Sequence, residues 1–154
     1  DFNPEKRVEE LDAKIMQQVF LANTIIPALW LKTLRPLLTG EKSCHMVFLS
    51  ARVGSINDNR MGGWYSYRAS KAALNMLLKT AAIEYARRAK NVKLIAFHPG
   101  TTDTTLSKPF QKNIPEKKLF KPDFVARQLL MLVAKTPIDG TLSYLDWDHQ
   151  TIDW

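Results

Sequence analysis

Apolar residues recur at helical spacing in three parts of the chain and in short unbroken runs in three others. Val8, Leu11, Ile15 and Val19 form a stripe of helical period, which predicts one face of an amphipathic helix. Asn3-Pro4-Glu5 precedes it, and a capping residue followed by proline predicts the helix start there. The helix is expected to run towards Leu38 and to stop at Gly40. Leu74, Leu78, Ala82 and Tyr85 predict a buried face on a long helix from Tyr65 to Ala89. Pro122-Asp123 opens a third helix, with Phe124, Leu129, Leu132 and Val133 towards the core and Thr136-Pro137 as its end. The runs His45 to Leu49, Val92 to Phe97 and Thr141 to Trp147 are short enough to be buried strands.

Strands alternating with helices imply a parallel sheet covered by helices, an α/β architecture. No repeat, low-complexity tract or second domain is visible, so residues 1–154 read as one domain. A dinucleotide-binding domain opens with a strand, a Gly-rich turn and a helix, the turn cradling the pyrophosphate. This sequence has no such glycine cluster: its adjacent glycines, Gly62-Gly63, lie before the long helix instead.

Composition changes this picture little. With 154 residues, 45% hydrophobic and 24% charged, the chain can bury a core and does not read as disordered. No apolar run reaches membrane-spanning length, and the opening residues do not read as a signal peptide. The single cysteine, Cys44, excludes an internal disulfide and fits a reducing cytoplasm. The net charge of +7 comes from dispersed groups such as Arg87-Arg88, Lys90, Lys117-Lys118 and Lys121. Cations at a helix end complement its dipole, so neither a nucleic-acid nor a membrane partner is expected. The charge suits an anionic cofactor.

The candidate chemistry lies at Tyr67-Arg68-Ala69-Ser70-Lys71. Residues four apart share a helix face, so Tyr67 can present its phenol to a cleft above the Lys71 ammonium. A nearby cation favours the phenolate and lowers the phenol's pKa, which suits proton transfer near neutral pH. His45 to Ile56, an apolar strand ending in small polar residues, precedes the pair; His98-Pro99-Gly100-Thr101-Thr102-Asp103-Thr104 ends the strand after its helix. With Gly62 to Asn75 between them, these motifs resemble the C-terminal part of a short-chain dehydrogenase/reductase, most like the C-factor and carbonyl-reductase branch. The resemblance covers nearly the whole chain and implies the latter half of a Rossmann-type doubly wound parallel sheet with flanking helices. It implies a single partial domain lacking the nucleotide-binding half, and hydride transfer between NADP(H), or NAD(H), and a carbonyl or alcohol.

By that resemblance, Tyr67 is the catalytic acid and Lys71 tunes it while holding the nicotinamide ribose. Asn23 is the third member, its backbone carbonyl turned to a water that reaches the lysine. Pro27 supports this independently: proline cannot donate to the carbonyl four residues earlier and clashes with it, and that residue is Asn23. The family ends its strand with Ser-Ser, whereas this strand ends Leu49-Ser50-Ala51. Ser50 is ranked ahead of Ser55 for orienting the carbonyl, and a site with neither stays open. Pro99, Gly100, Thr102 and Thr104 match the loop that receives the nicotinamide. No metal site is expected, because His45, His98 and His149 lack ligand spacing. No Gly-x-Ser-x-Gly elbow marks a hydrolase.

A non-enzymatic signalling or dimerisation module is the rival reading. The resemblance implies a homodimer or homotetramer packed through the Asn23 and Tyr67 helices, with Trp30, Leu77 and Ile83 suited to the contact. The isolated chain is expected to bind NADP(H) negligibly and to leave one sheet edge unpaired. The substrate loop from Ser107 to Lys121 carries no readable specificity.

Overall fold

The computed structural model describes residues 4–108, 111, 114–115 and 118–154. Helix α1 spans Ala13–Phe20, a π-helical turn Leu21–Ile25, and helix α2 Ile26–Leu38. Strand β1 (Cys44–Leu49), helix α3 (Tyr65–Arg88) and strand β2 (Val92–His98) follow. A short pair, β3 (Thr101–Thr102) and β4 (Leu119–Phe120), precedes helix α4 (Pro122–Lys135) and strand β5 (Leu142–Asp146).

The main sheet is parallel throughout, in the order β1-β2-β5. Central strand β2 is buried along Val92 to Phe97, as expected of a strand covered on both faces. Its side chains alternate between two cores. Leu94 and Ala96 join Met46, Tyr144 and the α3 face of Leu74, Leu78, Ala82 and Tyr85. Ile95 and Phe97 join Val125 and Leu132, with Phe124, Leu129 and Val133 packed against them. Helices thus cover both faces, in the α/β arrangement the sequence implies. Among the described residues, no helix is long and apolar enough to cross a membrane.

The first helix departs from the sequence expectation. Asn3 lies outside the described residues, as does Lys117. No helix starts at Pro4: a 3-10 turn covers Val8–Glu10, and α1 begins at Ala13. Asp12 is the better cap, its Oδ1 accepting from the Lys14 and Ile15 amides at 2.9 Å, the geometry that satisfies a helix's first donors. Of the proposed stripe only Val19 is buried; Val8, Leu11 and Ile15 are exposed. Further on, the sequence does not foresee the β3–β4 pair, whose strands are too short to show a period.

Lys93 is a second surprise, a charged residue near the start of the central strand and 1% exposed. Its Nζ donates to Asp139 Oδ1 at 2.5 Å and to the Thr141 carbonyl at 3.0 Å. Burial alone pushes the Asp139 carboxyl up. Hydrogen bonds from Lys93 and Thr141, and the ammonium charge, outweigh it and bring the carboxyl down to about 2. A carboxyl depressed by folding stabilises the fold above its unfolded value and ceases to do so as pH falls through the folded one. Stability is therefore expected to decline between about pH 4 and pH 2 from this group. In Asp139→Asn that acid-dependent component should vanish, while stability at neutral pH falls because the buried ammonium loses its counter-charge. Urea melts across that pH range check both.

Candidate active site

The candidate groups gather at the carboxyl ends of β1 and β2, around the first turns of α3. Three successive residues with positive φ lead into that helix: Gly62 (64°), Gly63 (65°) and Trp64 (55°). The left-handed region costs a residue with a Cβ about 1–2 kcal/mol, so surrounding contacts must hold Trp64 there. Arg68 supplies some, donating from Nε to the Gly63 carbonyl at 2.9 Å and from a terminal nitrogen to that of Gly62 at 3.1 Å. Its guanidinium also lies 5.9 Å from the Trp64 ring centroid.

Tyr67 and Lys71 share the helix face that their spacing predicts. The Lys71 Nζ stands 5.8 Å from the centroid of the Tyr67 ring and donates to the Leu49 carbonyl at 2.7 Å. The ammonium therefore faces the end of β1. Burial pushes the Tyr67 phenol up, opposite to the downward shift expected from the lysine. Burial also lowers Lys71 to about 8. The lysine is fixed from behind by Gly54, where an added Cβ would lie 2.9 Å from the Lys71 backbone carbon and 2.9 Å from its Cβ. Only a glycine lets the 3-10 turn Arg52–Gly54 approach the helix so closely.

Asn23 lies in the π turn, where the Ile26 amide donates to the Leu21 carbonyl five residues back. The Asn23 Nδ2 donates to Ser70 Oγ at 3.2 Å, and that hydroxyl donates to the Tyr67 carbonyl at 2.8 Å. Thr24 Oγ1 donates to the Ser70 carbonyl at 2.8 Å. The π turn is thereby fastened to α3 between Tyr67 and Lys71, at the residue directly before the lysine. Ser70, which is fully buried, is the joint, a residue outside the set that the sequence predicts for the site. A small hydroxyl between the two motif residues was the available signal.

The two serines behave differently. Ser50 is buried and donates its proton to Asn75 Oδ1 at 2.7 Å. Ser55 Oγ is also buried, and accepts from the Asp58 amide at 3.1 Å. Ala51, at the family's serine position, offers its carbonyl to the Tyr144 hydroxyl at 2.6 Å. Asn75, one turn beyond Lys71, was not singled out in the sequence; its buried Nδ2 has no partner.

The loop after β2 depends on Gly100, with φ 71°. An added Cβ there would lie 2.6 Å from the Phe120 ring and 2.9 Å from that of Trp147. Thr102 lies in β3; its Oγ1 is buried without a partner, and its carbonyl accepts from Ser107 Oγ at 2.5 Å. Thr104 is exposed, its amide donating to the same Ser107 hydroxyl at 3.2 Å. Pro99 is half-buried. His98, just before it, is held down at about 4, first by burial and then by the Arg52 charge, against the opposing pull of Asp146. Among the described residues no group of three His, Cys, Asp or Glu side chains could hold a metal.

The family model for short chain dehydrogenases matches residues 3–115. The chain is 36% identical over 103 residues to 1-hydroxy-2-glutathionyl-2-methyl-3-butene dehydrogenase of Rhodococcus sp. strain AD45, covering 67% of this chain and 44% of that protein. It is 26% identical over 145 residues to C-signal of Myxococcus xanthus, covering 94% and 82%. NADPH-bound carbonyl reductase from chicken fatty liver superposes with a TM-score of 0.80 at 24% identity, covering 99% of this chain and 62% of that one. The chain thus spans under half of the dehydrogenase and about three fifths of the solved reductase. With the parallel sheet, the Tyr67–Lys71 helix and the family match in agreement, the chain belongs to the short-chain dehydrogenase family.

Proposed function

We propose that this chain supplies the catalytic half of an oxidoreductase that interconverts a small-molecule carbonyl and an alcohol, with NADP(H) as cofactor and NAD(H) as the alternative. The observation that carries this reading is Lys71: a residue 8% exposed, lowered to about 8 by burial, its ammonium 5.8 Å from the centroid of the Tyr67 ring. Burial thus disfavours the charged form relative to a solvated lysine, yet at about 8 Lys71 still carries its proton at neutral pH. Such groups cluster at functional sites. The dehydrogenase of Rhodococcus and the NADPH-bound reductase of chicken liver support the reaction class and the cofactor.

The residues fit the nicotinamide end of such a cofactor. Lys71 would hold the ribose hydroxyls, and the loop Pro99 to Thr104 would receive the carboxamide, with the orphaned Thr102 Oγ1 as a ready partner. Tyr67 shares in enclosing the ring. No glycine-rich turn for a pyrophosphate occurs in this sequence, so these residues account for one end of the cofactor. When bound, the cofactor supplies the hydride. Tyr67 delivers the proton to the carbonyl oxygen during reduction and removes it during oxidation. Lys71 favours the phenolate left behind, offsetting the upward push of burial. Asn23, through Ser70, holds the helix turn that carries both. Ser50 or Ser55 orients the carbonyl.

A second reading, a signalling or dimerisation module, draws on the match to C-signal along 94% of the chain. The exposed Trp30, Leu77 and Ile83 suit a homodimer or homotetramer through the Asn23 and Tyr67 helices. The site residues favour the enzyme, because a module that only pairs has no use for a buried ammonium.

In the protein at its full natural length, Tyr67→Phe should lower NADPH-dependent reduction of aromatic aldehydes about 10²–10⁴-fold. Cofactor affinity, measured by fluorescence titration, should stay within a few-fold; equal turnover by mutant and wild type would sink the assignment. Lys71→Met should weaken both turnover and NADPH binding. Its melting temperature should hold or rise, because the lysine's burial opposes folding at neutral pH and eases only above about 8. Ser50→Ala should reduce activity more than Ser55→Ala. Wild-type rates in both would assign carbonyl orientation to backbone groups or water.

A further inference from the structure

We propose that Glu5 is a positioning residue that anchors the first turn of α3 and thereby sets Tyr67; the inference rests on the catalytic reading of Tyr67. Helix α3 begins at Tyr65 behind Trp64. An indole has no acceptor for the first amides of a helix, so the ordinary side-chain cap is missing at this end. Glu5, 61 residues earlier in the chain, fills the role. Its Oε2 accepts from the Ser66 amide at 3.3 Å, its Oε1 accepts from the Ser66 hydroxyl, and its backbone carbonyl accepts from the Trp64 amide at 2.5 Å. Ser66 is the residue directly before Tyr67.

The setting is built for this contact. Glu5 is 4% exposed and Ser66 fully buried. Among the described residues no basic side chain forms an ion pair with Glu5; the five ion pairs involve other groups. A buried carboxylate requires compensation, and here the compensating charge is the positive end of the helix dipole together with the Ser66 donors. The segment carrying Glu5 is not helical. Glu10 folds back so that its Oε2 accepts from the Lys6 amide at 2.8 Å, which holds the strap in place. The same strap holds Trp64 in its left-handed conformation through the Glu5 carbonyl. One residue thus fixes both the strained entry and the second residue of the helix. Lys71 is secured separately, by Gly54 and the Leu49 carbonyl, so loss of Glu5 should disturb Tyr67 and spare the ribose contact.

The test uses the protein at its full natural length, with Glu5→Ala, Glu5→Gln and Ser66→Ala. Glu5→Gln keeps the volume and one acceptor oxygen, and remains informative if the alanine variant fails to fold. Amide exchange at residues 65–67 should quicken about tenfold in Glu5→Ala, with residues 82–85 at the far end unchanged. With 4-nitrobenzaldehyde and NADPH as probes, kcat per folded enzyme should fall about tenfold or more while KM for NADPH stays within about twofold. Glu5→Gln and Ser66→Ala should fall between wild type and alanine in both readouts. A lower melting temperature with kcat per folded enzyme unchanged would show a merely structural role and overturn the proposal. So would unaltered exchange in Glu5→Gln. A wild type inactive with NADPH would overturn the catalytic reading of Tyr67, and the exchange measurement alone would then support the anchor or reject it.

Discussion

The close approach of Gly54 to the backbone of Lys71 is the constraint on which the site depends. It lets the turn after β1 lie against α3 with no side chain between, at the level of the lysine. Strand β1 then ends near enough for the Leu49 carbonyl to receive the Lys71 ammonium at 2.7 Å. It also brings Ser50 against Asn75, one helical turn further along the same face. A methyl group at residue 54 would push the turn off the helix and loosen these contacts together, since backbone atoms cannot yield as a flexible side chain can. The geometry around Lys71 is therefore a property of backbone packing, and side chains refine it.

On the opposite flank the π turn plays the corresponding part. A wider turn is an unusual element that often marks functional positions. Here its location follows from Pro27, which withholds a donor where an α-helix would need one. The turn directs Asn23 and Thr24 towards Ser70, so α3 is held from both sides between its two motif residues. Together these contacts restrict the freedom of Tyr67 relative to Lys71, the advance positioning that the proton transfer proposed for Tyr67 would require.

Much of the fold was legible because it rests on periodicity. The α3 face of Leu74, Leu78, Ala82 and Tyr85, the three main strands and the start of α4 at Pro122 all follow from spacing and proline placement. The first helix misled because Asn3-Pro4-Glu5 has the composition of a helix start, whereas its glutamate is engaged by α3. Nothing local distinguishes a glutamate that caps its own helix from one that caps another 61 residues away. Lys93 was illegible for a similar reason: a lysine in an apolar run reads as solvated until its partner at Asp139 is placed. At the site, the Tyr67–Lys71 spacing and Pro27 could be read directly, while Ser70 and Asn75 needed the packed neighbours. The sign of the Tyr67 shift could not be read either, since spacing conveys proximity to a charge but not the depth of burial that opposes it.

The cost of this arrangement is concentrated in one place. The buried side-chain atoms without partners among the described residues are Asn75 Nδ2, His98 Nδ1 and Thr102 Oγ1. His98 ends β2 and Thr102 lies in β3 just beyond it, while Asn75 lies on α3 against Ser50 at the end of β1. Each unmet group of this kind costs about 1–3 kcal/mol, and native interiors contain few of them. A random scatter through the cores would suggest poor packing, yet the two hydrophobic clusters are filled by well-buried apolar side chains. The carboxyl edge is where open α/β sheets bind their ligands. Unpaired polar atoms there, beside a lysine whose charge is disfavoured by burial, are the groups that the cofactor and substrate of the proposed reaction would satisfy.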